Sequence, residues 1–450
     1  MANERTRALN IARPRSERPY VLYWMSHSQR ADANPALERA VEWANELGRP
    51  LLVLFVVDPS YPEANARHFT FMLEGVKDAM TRIARRGAHF SLQIGAPPKI
   101  AARLAQAAAV VVTDRAYLRH LVAWRRELAE GCDALVEEVE GDVIVPVGEA
   151  STKLESAART IRPKLHKCVS RFLTLPTTHT LKVPAADLAQ KDDVALDDVA
   201  AFVKRLGVDD SVPPVAVRGG QTEARRRLTA FLKSDLAHYG EGRADIVDRH
   251  VSMMSPYLHY GHISPVEIHQ RVRDAAVTPE SADRYVEEML VRRELAANFV
   301  CHAEDYDAWS ALPAWARETL DAHKDDRREA VYTRRELEAG ATGDRYWNAA
   351  MREMRVTGYL HNHMRMYWGK RILGWTNTPR YAFETTLYLN NKYLLDGRDM
   401  NSYANVGWIF GLHDRGWPER PVYGKVRTMT PGGLERKFDV DAYVAWAEAL

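Results

Sequence analysis

Through the first third of the chain, short runs of consecutive apolar residues alternate with amphipathic stretches. Tyr20–Trp24 (YVLYW) and Leu51–Val57 (LLVLFVV) are unbroken runs, the second stopped by Asp58. Runs of this length suit strands buried on both faces. Between them, Leu37, Ala40, Val41 and Ala44 recur at helical spacing inside 34–47. The same alternation predicts helices over 71–86, 97–107 and 118–130, and strands over 89–93, 109–113 and 135–139. Strand and helix taken in turn argue for an open, Rossmann-like α/β domain with a mostly parallel sheet over residues 19–150. Such a sheet usually takes its ligand beyond the C-terminal ends of its strands. No GxGxxG and no GxxxxGK[ST] follows the first strand, so the pattern leaves the domain's function open.

Residues 151–221 lose this rhythm. The basic segment Thr160–Lys167 (TIRPKLHK), an acidic run at 191–198 and the breakers Pro176, Pro184, Pro213, Pro214, Gly219 and Gly220 predict a long interdomain linker, partly ordered by packing. From Thr222, a candidate N-cap, the period becomes helical to the end at residue 450. Helices are expected over 280–299, 344–374 and 378–391, and the 222–450 region is read as an all-helical domain. No internal repeat or low-complexity tract appears.

Composition narrows the class. At 450 residues, two or three cores are expected. Sixty-two basic side chains balance 60 acidic ones, so any nucleic-acid contact must come from a local patch. Three scattered cysteines, Cys132, Cys168 and Cys301, fit a reducing compartment. No apolar run reaches the ~18 residues of a membrane span. Residues 1–18 mix several Arg with Glu4 and Glu17 and lack an apolar segment, which predicts a disordered basic tail rather than a leader. A cytoplasmic, nucleoid or nuclear protein is expected, not a secreted one.

Five of eleven tryptophans, Trp347, Trp368, Trp375, Trp408 and Trp417, fall between Gly343 and Val440. A large buried helical core accounts for them equally well as a flat aromatic ligand or a charge-transfer path. Trp368 and Trp375 are seven residues apart, nearly two turns, so one helix face would carry both about 10 Å apart. Arg365 on an apolar helix is costly unless paired, and Asp396 is the partner expected. Ser252 and Ser255 at a helix start are either ordinary caps or an anion site. His361 and His363 lie about 200° apart on a helix and cannot converge on one ion, so no metal is expected. Glu288, Arg292 and Leu295 fall near one helix face, Glu294 on another. Arg415, Arg420, Lys425, Arg427, Arg436 and Lys437 interleave with Trp417 and Tyr423, either a solvated basic surface or a phosphate-tracking face with stacking groups.

Taken in order, MSPYLHYGHISP, EEMLVRRELAANF, HMRMYWGKRILGW, LNNKYLLDGRD, GLHDRGWPERPVYGKVR and RKFDV closely resemble the class II cyclobutane pyrimidine dimer photolyases. YWMSHSQR and ARTIRPKLHK resemble the same family, so the likeness spans almost the whole chain beyond residue 18. It implies an N-terminal antenna-type α/β domain, a long linker and a helical domain holding a U-shaped FAD, active in its reduced anionic form. Carried over by position, Tyr239, Arg243, Ser252, Met253, Met254 and Ser255 would bind the FAD phosphates or ribityl chain. Arg365 and Asp396 would flank the isoalloxazine and Asn390 would approach its N5. Glu288, Met366 and Trp408 would meet a dimer flipped out of UV-damaged DNA. Trp368, Trp347 and Trp375 resemble the family's electron-transfer chain, with Trp368 nearest the flavin. Many photolyases place a tryptophan shortly after the catalytic glutamate; Val291, Arg292 and Arg293 stand here, which predicts a polar contact instead.

The resemblance implies light-driven electron donation from FAD to the dimer, with the electron returned after the ring splits. A cryptochrome-like photoreceptor uses the same flavin and tryptophans; a long tail would favour it, and the sequence stops at Leu450, soon after RKFDV. A (6-4) photolyase would need catalytic histidines that Tyr257–Tyr260 does not by itself supply, and a light-independent flavoprotein would not need the substrate-side residues. The antenna, deazaflavin, folate or none, is not legible. A monomer without an obligate protein partner is expected.

Overall fold

A computed structural model describes residues 4–185 and 188–450. Six strands form one sheet: β1 (Thr6–Ala8), β2 (Tyr20–Trp24), β3 (Leu51–Val57), β4 (His89–Ile94), β5 (Ala108–Asp114) and β6 (Leu135–Val139), in the order β1-β6-β5-β2-β3-β4. The five longer strands are parallel, and helices Pro35–Leu47, Ala66–Arg85, Pro97–Ala105 and Arg119–Glu130 connect them. Strand order reverses between β2 and β5, which opens a crevice at their C-terminal ends. Asp114, buried at the end of β5, organises that edge. Its Oδ2 accepts the Ser26, His27 and Ser28 amides at 2.8, 2.9 and 3.1 Å, and its Oδ1 the Tyr23 hydroxyl at 2.8 Å.

Residues 4–18 are not the disordered tail expected from their charge. Thr6–Ala8 pairs antiparallel with β6, and the amides of Leu9 and Arg15 donate to Val136 O and Ala109 O. The Asn10 amide bridges the carbonyls of Cys132 and Ala134. The physical reason is the open edge of β6, whose unpaired backbone groups an extended segment satisfies, together with Arg5, which turns inward and donates to the carbonyls of Glu140, Val143 and Phe172.

The connecting region 151–221 carries helices Ala158–Cys168 and Val199–Leu206. Thr222 is not the cap of the next helix, which runs Gln221–Ser234 after Gly220 at φ +107; its hydroxyl bonds Asp78 instead. Two further helices differ from the periodicity. The expected 280–299 helix is three pieces, Pro279–Val286, a π-helical segment Glu287–Arg292 and Arg293–His302. The expected 344–374 helix breaks at Gly358 (φ +68) into Arg345–Thr357 and Asn362–Trp375. A Cβ there would stand 3.0 Å from Leu395 Cγ, so glycine answers both the left-handed turn and the close packing.

The two halves interlock through buried polar groups. Arg67, 1% exposed, donates to the carbonyls of Pro213, Met354 and Tyr393. Guanidinium at two helix C-termini satisfies orphaned carbonyls and opposes the helix dipoles. Glu294 accepts from the Ile144 and Val145 amides, and Arg293 pairs with Asp142. No helix among the described residues is long and apolar enough to cross a membrane.

Candidate functional site

A cavity of about 410 Å³, open to solvent, lies within the helical half. That is within the range of an ordinary small-molecule pocket, roughly 300–1,000 Å³. Nine residues singled out from the sequence line it: Tyr239, Arg243, Ser252, Met254, Ser255, Glu288, Arg365, Asp396 and Trp408. They come from six segments spread along the helical half of the chain, so only the tertiary fold assembles them.

The helix Asn362–Trp375 brings Arg365 to the wall, where its Nη2 lies 3.2 Å from both Asp396 oxygens. Both side chains are nearly buried, at 9% and 7% exposure. The partner expected for Arg365 is the one it has. Its Nε, however, is buried without a hydrogen-bond partner, and so is the indole N–H of Trp368 one turn further on. A buried donor left open on a cavity wall, as at Arg365, is what a polar ligand satisfies; Trp368 itself does not line the cavity.

The π segment aims the opposite wall. One extra residue in the turn shifts the helical phase, so Glu288, Met289 and Arg292 face the cavity while Glu294 faces the sheet domain. Glu288 Oε1 accepts from Arg243 Nη1 at 2.6 Å. Burial alone would lower the Arg243 pKa, but the Glu288 carboxylate overrides it and the shift is upward. Burial, then Glu288, pushes the Tyr239 hydroxyl well above its usual pKa, so it stays a neutral donor. Ser252 Oγ accepts from the Tyr285 hydroxyl at 2.9 Å and from the Met254 amide at 3.3 Å. That hydroxyl therefore shapes a turn, in which Met253 takes φ +53.

Three tryptophans stand behind this wall. Trp347 and Trp368 stack with centroids 6.3 Å apart and planes 10° apart, and Trp347 meets Trp375 edge-on at 5.7 Å. Trp347 donates its N–H to Trp368 O at 2.9 Å. The break at Gly358 folds the two helices together, so Trp347 lies between indoles that the shared helix keeps two turns apart. The Arg371 guanidinium covers the far side of Trp375 at 4.3 Å.

Other expected residues do not line the cavity. Asn390, 1% exposed, donates to Asn391 Oδ1 and Ser402 Oγ; Met366 is 9% exposed. Met253 lies off the wall as well. In the basic C-terminal segment, Arg415 and Arg427 sandwich Trp417 at 5.2 and 5.0 Å. Arg420 closes a small turn with Gly424, and Arg415, Arg420, Lys425, Arg436 and Lys437 are exposed, on a surface apart from the cavity lining. Sequence reasoning missed Tyr359, Asn362 and Asn405, which also line the cavity. Asn405 precedes Trp408 by three residues, a helical spacing that could have found it.

A second, smaller cavity of about 100 Å³ occupies the crevice at the β2/β5 switch. Trp24, Phe55, Tyr61, Phe69 and Trp124 make it largely aromatic. His27 lines it, its pKa pushed down to about 3 by burial and then by Arg125. Sequence reasoning left this crevice empty of assignments because no motif marks it.

The DNA photolyase family matches residues 21–185. The chain is 42% identical to the deoxyribodipyrimidine photo-lyase of Methanothermobacter thermautotrophicus over 441 residues, 98% of this chain and 97% of that protein. Two solved structures share the fold over nearly its full length. A Synechocystis cryptochrome aligns with a TM-score of 0.75 at 17% identity, covering 95% of this chain and 88% of that one. An archaeal photolyase from Sulfolobus tokodaii, solved with two FAD molecules, aligns at 0.71 and 15%, covering 94% and 88%. With a likeness at 42% identity that runs from end to end, the chain belongs to the photolyase/cryptochrome family.

Proposed function

We propose that this protein repairs cyclobutane pyrimidine dimers in UV-damaged DNA by light, as a class II photolyase with FAD in the helical cavity. The single observation that carries the reading is the placement of the Arg365–Asp396 pair on one wall, with stacked indoles behind it and Glu288 and Trp408 beside it. The open Nε donor of Arg365 on the cavity wall supports a polar ligand there. Bound in this cavity, FAD would supply an electron on excitation by blue light.

The chain's own residues then have distinct tasks. Arg365 and Asp396 hold a fixed charge pair against the ring system, with both side chains buried enough for that charge to count. Tyr239, Arg243 and Ser255 offer donors for phosphate or ribityl oxygens. Trp408 offers a face on which an extruded base stacks, and Glu288 an acceptor for its exocyclic or ring N–H. Trp368, Trp347 and Trp375 provide the path by which an oxidised cofactor is re-reduced. The exposed Arg415, Arg420, Lys425, Arg436 and Lys437, with the half-buried Arg427 and Trp417, track the DNA backbone. Asn390 and Met366 have secondary places in this reading, since neither lines the cavity. The aromatic crevice of the α/β half is proposed as the antenna site, for a deazaflavin, a folate or, as in the Sulfolobus structure, a second FAD.

The test is ultraviolet absorbance recovery of an oligonucleotide with one cis-syn thymine dimer, under blue light with reduced protein and a dark control. Recovery in the light alone is expected. No recovery from protein that binds and photoreduces flavin would reassign it as a cryptochrome-like sensor.

A further inference from the structure

The charged residues on the cavity wall pair off almost completely. Arg243 takes Glu288 at 2.6 Å, Arg365 takes Asp396 at 3.2 Å, and Arg293 takes Asp142 at 3.1 Å. Arg292 is the exception among the described residues. Its nearest carboxylate oxygen, Glu287 Oε1, lies 3.7 Å away, beyond hydrogen-bonding distance. Glu287 is already held in a fork by Arg162 of the connecting region, at 2.7 and 3.0 Å. One carboxylate therefore stands between two guanidiniums, and the fork leaves Arg292 with charge to spare. Its side chain is 47% exposed, at the solvent end of a cavity whose other arginines lie deeper.

A guanidinium in this state is poised for an anion. Arginine seeks planar acceptors such as carboxylate and phosphate, and both carboxylates of the π segment are engaged. His413 lines the same cavity, but burial, with help from the nearby Arg292 charge, holds its pKa down to about 4, so it adds no competing cation at neutral pH. We propose that Arg292 is a positioning residue at the cavity mouth that grips a phosphodiester of the flipped-out lesion strand, opposite the stacking face of Trp408. The assignment rests on the repair reading above. It gives the π segment two tasks, Glu288 toward the base and Arg292 toward the backbone that carries it. It also gives Arg162 a role at a distance: by saturating Glu287, it frees Arg292.

Arg292→Ala and Arg292→Lys would be compared with the wild type by fluorescence anisotropy, using FAD-loaded protein. One duplex carries a single thymine dimer and its match is undamaged, each titrated between roughly 50 and 200 mM salt. For Arg292→Ala, affinity for the damaged duplex is expected to fall about tenfold. The slope of log K against log salt should shrink by about 0.9, the amount that a single neutralised phosphate contributes. Binding of the undamaged duplex and the FAD content stay unchanged. Arg292→Lys keeps the slope, since the charge remains, and recovers only part of the affinity. Three results overturn the assignment. An unchanged slope removes the phosphate from the grip of Arg292. An equal loss on both duplexes makes Arg292 part of a general backbone surface. Loss of FAD from Arg292→Ala would give the guanidinium to the cofactor's pyrophosphate. A wild type that binds both duplexes equally would overturn the repair reading itself, a distinct outcome because it appears before any substitution.

Discussion

The aromatic crevice and the helical cavity are built on opposite plans. The crevice of the α/β half is an aromatic box of Trp24, Phe55, Tyr61, Phe69 and Trp124, framed by strand ends that Asp114 pins by three amides. The cavity of the helical half is walled by paired charges and opens to solvent beside Arg292 and Trp408. A box lined mainly by aromatic rings binds a flat ring largely by area, although Asp58, Arg398, His27, His68 and His259 also line it. Fixed ion pairs bias a ligand's charge state, at the cost of desolvating every member of the pair. A molecule that only absorbs light suits the first; one that gives up an electron needs the second.

That contrast can be broken most sharply at the indoles. Trp368→Phe is expected to abolish photoreduction of oxidised flavin while repair survives in chemically pre-reduced protein; spectra recorded under blue light check it. Normal photoreduction in the variant would mean that the stack is only core packing. Next in size, Glu288→Ala should lower repair per absorbed photon between about ten- and a hundredfold, the scale of removing one preorganised hydrogen bond. DNA affinity should move far less, and equal losses in yield and affinity would make Glu288 a binding residue. Trp124→Ala tests the other cavity. It should change repair severalfold in dim light and not at all at saturating light, because it touches energy collection alone; a loss at saturating light would merge the two cavities into one function.

The smallest effect concerns stability. Each half buries a base whose pKa burial lowers, His27 in the crevice and Lys370 on the helix Asn362–Trp375. Burial drops the Lys370 pKa to about 7, against about 10.4 for an unperturbed lysine. Between those values the unfolded chain binds the extra proton, so this group makes stability rise with pH across the window and fall as pH drops through 7. Lys370→Met should flatten that dependence and raise Tm near pH 7 by a few degrees, at about 2–4 °C per kcal/mol for large domains. Calorimetry from pH 7 to 10 measures it, and an unchanged slope would mean that the ammonium is not desolvated.

Much of this was legible before folding. The strand runs were plain because a parallel sheet buried on both faces admits no polar interruption. The Arg365–Asp396 pair was legible because a lone guanidinium on an apolar helix demands a partner. The N-terminal strand was hidden because three residues of edge pairing leave no period to read. The π segment was hidden as well, since a helix that is long by a single residue keeps a helical composition. The aromatic crevice escaped because Trp24, Tyr61 and Trp124 are ordinary core residues in any window containing them.

The sequence alone determined the α/β-then-helical order, the candidate charges and the identity of the indoles, because period and residue chemistry are local properties. Only the tertiary structure decided that Trp347 lies between Trp368 and Trp375, since the turn at Gly358 reverses the chain and replaces distance along one helix by contact between two. It also decided that Glu287 belongs to Arg162 and leaves Arg292 uncommitted. The two arginines lie far apart in the chain, and which of them wins a shared carboxylate is settled by packing geometry, to which charge in sequence is blind.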